Sequence, residues 1–355
     1  MDSIKSTGYS IYFKDEAYKQ LNNYFFNNQI TKIFILVDKN TKIHCLPQFK
    51  DKVSNTIEIA TISINAGEIH KNITTCVKVW KKLTELQADR KSILINLGGG
   101  MVTDLGGFVA STFKRGIKFI NIPTTLLSMV DASVGSKTGV DLDNLKNLVG
   151  LFSNPEMVLI DSTFLETISE RDVKSGVAEI IKYGLTFNPK LLDEIKQDKW
   201  KNINDLNNII HQSINIKNKV VLEDFKETNL RKALNYGHTV GHAIESYFLE
   251  HETLENLLHG EAVAIGMVVE AYASKKLHGF PINELESLKD YVLKTYGKIT
   301  IEKEHYASIL DLMKHDKKNV NGVIKYILLK DVGEFILDAT APNELIIEGL
   351  DYYQS

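Results

Sequence analysis

Cysteine is scarce in this chain: only Cys45 and Cys76 occur among 355 residues. Two thiols cannot build a disulfide framework, and such sparing use points to a reducing cytoplasm. A charge excess of either sign is also missing. Forty-two Lys and Arg stand against 45 Asp and Glu, a net charge of −3, so the basic footprint of a nucleic-acid binder is absent. Apolar runs are short. The longest, around 262–269, cannot span a bilayer, and the opening M-D-S-I-K-S-T-G-Y-S has no apolar signal core. No Pro- or Ser-rich linker, low-complexity tract or internal repeat appears. These absences predict a soluble protein with no membrane partner, and its length suits two domains around sizeable cores.

What is present falls into two halves. Short β-branched runs at 32–37 (ending at Asp38), 92–97 (ending in three glycines), 118–122 and 157–160 alternate with helical patterns such as 73–87. That alternation predicts a parallel sheet with ligand sites beyond the carboxyl ends of its strands. After about Thr163 the periodicity becomes helical, over 191–195, 206–221, 234–248 and 257–277. One hairpin, 322–329 returning at 334–337 around Asp331-Val332-Gly333, interrupts it. The expected architecture is an α/β N-terminal Rossmann-like domain with a parallel sheet over 1–163. A mainly α-helical C-terminal domain over 164–355 would bind metal and substrate.

Three clusters carry chemistry. His238 and His242 are four apart in a helical pattern, so both imidazoles share a face. His259 follows in a second apolar segment beside Gly260 and Glu261. Histidines on packed helices suggest a divalent metal, against the alternative of core histidines that merely pack or hydrogen-bond. Glu179 lies among apolar residues with Lys182 one turn on, and such a carboxylate wants a partner, for which a metal is the natural choice. The second cluster is Gly98-Gly99-Gly100 between a strand and a helical pattern, where glycine lets backbone N–H groups approach a pyrophosphate at a helix N-terminus. Asp38, after an earlier strand, could hold a ribose or simply cap a helix. The third is Thr124-Thr125 followed by S-M-V-D-A-S-V-G-S-K-T-G, where Lys137 and Lys146 sit in a partly buried loop as candidate anion ligands.

Taken together these segments resemble one family, the 3-dehydroquinate synthases of the shikimate pathway of aromatic amino-acid biosynthesis. The resemblance runs from about Asp38 to Gly333. It rests on G-E-x-x-K at 67–71, G-G-G-M-V-T-D-L-G-G, K-R-G-I-K-F-I-N-I-P-T-T-L-L-S-M-V-D-A-S-V-G-S-K-T, L-K-N-L-V-G, G-V-A-E-I-I-K-Y-G, R-K-A-L-N-Y-G-H-T-V-G-H-A-I-E, L-H-G-E and H-D-K-K.

The resemblance implies a lyase dependent on NAD+ and zinc (cobalt possible), converting 3-deoxy-D-arabino-heptulosonate 7-phosphate into 3-dehydroquinate and phosphate. Its metal ligands would be Glu179, His238 and His259, which moves His242 to the substrate side as the group best suited to handling protons. Its NAD site would use Asp38, Glu68, Lys71, Gly99, Gly100, Asp104, Thr124, Thr125, Asp131, Lys137, Lys146 and Thr167. Substrate would meet Asp131, Lys137, Lys146, Asn147, Lys182, Lys217, Arg231, Asn235, His242 and Lys317 (or its neighbour Lys318), with Lys137, Lys182, Arg231, Asn235 and His242 doing the chemistry. Arg115 would reach the partner's site in a homodimer.

Four departures stand out. Ser136 replaces a glycine before Lys137, at a cost of about 1 kcal/mol if the backbone there is left-handed. Leu145 precedes Lys146-Asn147 where glycine is frequent. Asn229 stands near Arg231 in place of glycine, harmless if left-handed, and Phe225 follows Asp224 where an acid is common. The rival readings are a related cyclase acting on another heptulose or hexose phosphate, a metal-dependent polyol dehydrogenase, and a non-catalytic NAD- and zinc-binding scaffold. Arg231 argues against the first, because neutral sugar phosphates lack the carboxylate it would pair with. The many anion ligands argue against the second, and the retained ligand positions against the third.

Overall fold

The β-branched runs of the first half become strands of a single sheet. A computed structural model describes residues 1–54, 57–143, 145–314 and 323–355, with Leu145 described by its backbone alone. The strands are β1 (Ile4–Lys5), β2 (Ser10–Phe13), β3 (Ile33–Asp38), β4 (Ile59–Ile64), β5 (Ile93–Gly98), β6 (Lys118–Pro123), β7 (Lys137–Leu142), β8 (Leu145–Phe152) and β9 (Met157–Ile160). Seven of them form a sheet in the order β1-β2-β9-β6-β5-β3-β4. Every pairing is parallel except β1 with β2 at the edge. Central strands such as β3 and β5 are buried on both faces, which is why they read as unbroken aliphatic runs.

The chain runs from β3 to β4 in one direction and from β5 to β6 in the other. The strand order therefore switches between β3 and β5, the position at which open parallel sheets place their ligands beyond the carboxyl ends. Under one face lie Val79 and Leu83 of the helix Ile73–Glu85 with Val102, Leu105 and Val109 of the helix Gly100–Thr112. Burying each such side chain contributes about 1.5–3 kcal/mol. Glycines set how close the second helix lies. A Cβ on Gly106 would fall 2.0 Å from Asn96 Oδ1, and one on Gly107 would fall 2.5 Å from Thr138 Cγ2.

Two compact units result, Met1–Ser169 and Glu170–Ser355. The division falls after Ser169 rather than after Thr163. Residues Ser162–Thr167 form a 3-10 turn continuing from β9, with Asp161 accepting from the Thr163 N–H at 3.2 Å.

The second unit is helical, as its periodicity requires. Around the helix His259–His278, buried on nearly every side from Gly260 to Ala271, pack the helices Glu170–Thr186, His238–Glu250, Ile282–Tyr296 and Asn343–Gln354. The apolar run at 262–269 is the core of this helix, and among the described residues no helix is long and apolar enough to cross a membrane. The single helix expected over 234–248 is two pieces. A 3-10 segment Leu230–Asn235 ends, Gly237 takes φ 77°, and the α-helix begins at His238. The expected hairpin exists as Tyr326–Asp331 and Glu334–Ala339. Its proposed start at Gly322 lies outside the described residues.

Candidate active site

The second unit gathers its chemistry on three helices. Glu179, on Glu170–Thr186, is fully buried, with Lys182 one turn on donating to its Oε2 in a contact shorter than an ordinary hydrogen bond. Its other oxygen, Oε1, is buried with no hydrogen-bond partner. His238 Nε2 lies 3.4 Å from it and His259 Nε2 3.5 Å.

The remaining ring nitrogens are engaged. His238 Nδ1 faces the Tyr236 carbonyl at 3.1 Å and His259 Nδ1 faces Glu245 Oε2 at 3.0 Å. Both contacts favour the tautomer with hydrogen on Nδ1, leaving Nε2 free to coordinate. Tetrahedral donors about 2.1 Å from zinc stand about 3.4 Å apart, and the distances from Glu179 Oε1 to the two imidazole nitrogens are close to that. His242 is the third imidazole, its ring centre 5.2 Å from that of His238 and 5.6 Å from that of His259. One nitrogen from each histidine can lie within 4.8 Å of the others, so the all-histidine trio is also geometrically open. The orphaned Glu179 oxygen favours the set that includes the carboxylate.

Electrostatics agree with that choice. Burial alone would raise the Glu179 carboxyl, but Lys182 and His238 hold it well below the usual range. Burial and Lys182 lower His238, keeping it neutral. Burial also acts to lower His259, but Glu245 and Glu179 outweigh it and push the imidazole up to about 9. A metal ion at His259 Nε2 therefore competes with a proton for that nitrogen.

A short loop shapes the neighbouring anion ligands. Asp224 Oδ2 accepts from the N–H groups of Asn229 at 2.7 Å and Arg231 at 3.1 Å. Arg231, 1% exposed, donates from Nη1 to the Phe225 carbonyl at 2.7 Å. Phe225 thus contributes its backbone rather than its ring. Asn229 has φ −140°, so the expected left-handed backbone is not there, and asparagine serves through its N–H. Asn235 donates from Nδ2 to Glu227 Oε1 at 2.7 Å, and Lys217 is buried on the helix Ile203–Glu223. Glu227, at φ 60°, was not anticipated. Nor was Glu245, although its place seven residues after His238 puts it on the same helical face.

In the first unit the candidates lie along the carboxyl edge of the sheet. Gly99 caps the helix Gly100–Thr112 without a side chain, and a Cβ there would sit 3.1 Å from the Thr125 side chain. The Thr124 N–H donates to the Gly98 carbonyl at 3.0 Å, while its Oγ is buried with no partner. This glycine-lined turn at the switch point fits a pyrophosphate, and the unpaired hydroxyl fits a polar ligand atom. Asp38 caps the helix Lys39–His44, accepting from Asn40 and Thr41 N–H at 2.8 Å each. Asp131 sits in a π-helical turn and Thr167 is exposed at the end of its 3-10 segment.

Lys71 is the centre of a second charged cluster. Its Nζ lies 2.8 Å from Asp104, 3.3 Å from Glu68 and 2.6 Å from Asn147 Oδ1. Burial works against the ammonium, and Asp104 and Glu68 more than offset it, raising its pKa. Lys137 and Lys146 are not in a partly buried loop. They belong to the hairpin β7–β8, where Lys137 and Leu148 are exposed and Lys146 half-buried. Ser136 does take the left-handed backbone, φ 64°, and its hydroxyl bonds Asn154, whose Nδ2 donates to the Thr7 carbonyl at 2.7 Å. Arg115 is exposed at φ 68°. Lys317 and Lys318 lie outside the described residues.

A parallel sheet with a glycine turn at its switch point, followed by a helical unit, is a class of fold already seen in solved structures. The fold matches a 2-epi-5-epi-valiolone synthase from Streptomyces hygroscopicus, solved with NAD+ and Zn2+, at TM-score 0.87 and 22% identity, covering 100% of this chain and 99% of that one. It also matches a 2-deoxy-scyllo-inosose synthase, solved with carbaglucose-6-phosphate, NAD+ and Co2+, at TM-score 0.82 and 23% identity over 99% of each chain. Sequence narrows the class. Family models for the N-terminal and C-terminal parts of 3-dehydroquinate synthase match residues 61–175 and 176–319. A 3-dehydroquinate synthase of Parabacteroides distasonis is 42% identical over 340 residues, 94% of this chain and 95% of the relative. The chain belongs to the 3-dehydroquinate synthase family.

Proposed function

We propose that this member of the family converts 3-deoxy-D-arabino-heptulosonate 7-phosphate into 3-dehydroquinate and inorganic phosphate, with NAD+ as a recycled cofactor and zinc as its metal. The observation that carries the reading is the unsatisfied Glu179 oxygen facing two coordination-ready imidazoles beside Lys182. Glu179, His238 and His259 hold the ion, and their one-oxygen, two-nitrogen donor set suits zinc, with cobalt as an alternative. When bound, NAD+ takes and returns a hydride while the metal polarises the substrate hydroxyl.

The chain's own residues bind and orient. Arg231, fixed by Asp224 and the Phe225 carbonyl, is a rigid fork for the substrate carboxylate. Lys182, Lys217, Asn235, Lys137, Lys146 and Asn147 supply donors for the phosphate and hydroxyls, with Asp131 shared between substrate and cofactor. His242, beside the metal ligands, is the imidazole available to move a proton as phosphate leaves. Gly99 and Gly100 would hold the cofactor's pyrophosphate, with Thr124 and Thr125 supplying polar groups beside it. Asp38, Glu68, Lys71, Asp104 and Thr167 line the same carboxyl edge. Two buried free cysteines suit a reducing cytoplasm. Exposed Arg115 in its left-handed loop is the residue we assign to the neighbouring subunit's site in a homodimer.

The test is product balance. Protein with Zn2+ and catalytic NAD+ should release phosphate and 3-dehydroquinate in equal amounts with no net NADH. Net NADH would indicate a polyol dehydrogenase. Neither product, with turnover of a carboxylate-free heptulose or hexose phosphate, would indicate a different cyclase.

A further inference from the structure

One face of the helix Glu170–Thr186 does more than present a ligand. Arg171, Ser175 and Glu179 recur every four residues and so line one stripe. Glu179 ends the stripe at the imidazoles. The other two grip the chain on which His259 arrives. Arg171 makes a fork-to-fork pair with Glu261, Nε to Oε1 at 2.7 Å and Nη2 to Oε2 at 2.9 Å. The same guanidinium donates to Glu255 Oε1 and to the Asn256 carbonyl, each at 2.9 Å.

Glu261 Oε2 also accepts from the Leu258 N–H at 2.8 Å, closing the turn immediately before His259. One residue after His259, the Gly260 N–H donates to Ser175 Oγ at 3.0 Å. There the backbones nearly touch, since a Cβ on Gly260 would lie 2.0 Å from the Ser175 carbonyl. His259 is thus held on both sides, by Arg171 through residues 255–261 and by Ser175 through Gly260. Glu245 meets the ring itself at Nδ1.

We propose that Arg171 and Ser175 are positioning residues for metal loading, fixing His259 at coordination distance from Glu179 without touching the ion. A bidentate guanidinium–carboxylate pair gives direction as well as charge, and lysine cannot reproduce its four contacts. The clamp borders a cavity of about 560 Å³ lined in part by Arg171, Phe248, Glu255, Leu257, Glu261 and Tyr296. The inference rests on the metal centre assigned under Proposed function.

The experiment measures Zn2+ affinity by chelator competition, the rate of Zn2+ release, and the visible spectrum of the Co2+-loaded protein. Wild type is compared with Arg171→Ala, Arg171→Lys and Ser175→Ala. Residues that support a ligand from outside typically change metal affinity by roughly 10- to 100-fold. Arg171→Ala should fall in that range with faster release and an altered Co2+ spectrum. NAD+ binding and far-UV circular dichroism should stay unchanged, and lysine should restore only part of the loss. A folded Arg171→Ala protein with wild-type affinity, release rate and spectrum overturns the inference. If Arg171→Ala does not fold, Ser175→Ala decides: weaker metal supports the clamp and unchanged metal rejects it. A wild-type protein that binds no stoichiometric divalent ion sinks the metal centre itself, and the clamp with it.

Discussion

Lys71 in the first unit and Lys182 in the second are both buried lysines beside carboxylates, and they are built to opposite ends. Around Lys71 two carboxylates and an amide oxygen converge on one ammonium, so the group is satisfied from several sides. At Lys182 the contrast lies in the carboxylate. Its partner Glu179 uses one oxygen for the lysine, while the other is buried without a hydrogen bond and faces two imidazole nitrogens at 3.4 and 3.5 Å. An unpaired buried oxygen costs about 1–3 kcal/mol, and proteins keep such atoms where a ligand completes them. A saturated cluster such as that of Lys71 lines the proposed cofactor edge and still acts as a joint in the architecture, whereas an unsaturated one marks a place prepared for a ligand.

Substitutions can break this contrast, the largest effect first. Glu179→Gln should leave a folded protein that neither holds metal nor turns over. Losing several kcal/mol of metal stabilisation, at about 1.4 kcal/mol per decade, amounts to three or more powers of ten in rate. Full metal occupancy by inductively coupled plasma analysis would overturn the ligand assignment.

Lys71→Met should act on stability, because it removes a buried cation from two partly exposed carboxylates and an amide oxygen. A loss of about 1–2 kcal/mol in denaturant unfolding is expected, and adding Asp104→Asn should recover part of it. A variant as stable as wild type would mean that the Lys71 cluster is not a joint at all.

Glu245→Gln sharpens the comparison, since it keeps the shape beside His259 Nδ1 and removes the charge. Metal should bind roughly tenfold more weakly, and the apo melting temperature at neutral pH should fall as well, because the variant loses the charge that raises the His259 imidazole. The smallest effect concerns Asp161, a third saturated cluster. Burial would raise its carboxyl, but Lys52 at 2.7 Å, Thr163 and Tyr18 at 2.6 Å lower it. A depressed folded value adds stability above the unfolded pKa of about 3.9, lost as pH falls through the folded value. Asp161→Asn should therefore flatten the stability curve below about pH 4, and an unchanged acid limb would show that Asp161 contributes nothing.

Much of the architecture was legible. The strands β3, β5, β6 and β9 are aliphatic runs buried on both faces, and hydrophobic pattern finds such strands. β4 was not found because it is an edge strand with three half-exposed residues before its buried pair. The hairpin β7–β8 was missed because it carries glycine and charge and turns through positive φ at Asp143 and Asn147. The start of the His238 helix was misread because Leu234 keeps the periodicity while Gly237 breaks the backbone.

For the site, residue types and family resemblance pointed to Glu179, His238 and His259, and the fold brings these together. Pattern could not reveal that Arg171 serves His259, because that relation arises only when two distant helices pack. Asn229 is a similar case, since its function lies in an N–H that every residue but proline possesses.

The close approach at Gly260 has a counterpart at Gly266, where a Cβ would lie 2.0 Å from the Gly237 carbonyl. These two contacts bear on how the gene tolerates change. In a saturation library the ligands should not be the only silent-to-lethal positions. Even alanine at 260 or 266 should score as a null allele, while charged surface codons accept most replacements. Because the opposing atoms are main-chain oxygens, no second-site side chain can make room for the added carbon. Such alleles should yield few suppressors, and this pair of glycines should be among the least evolvable positions of the chain.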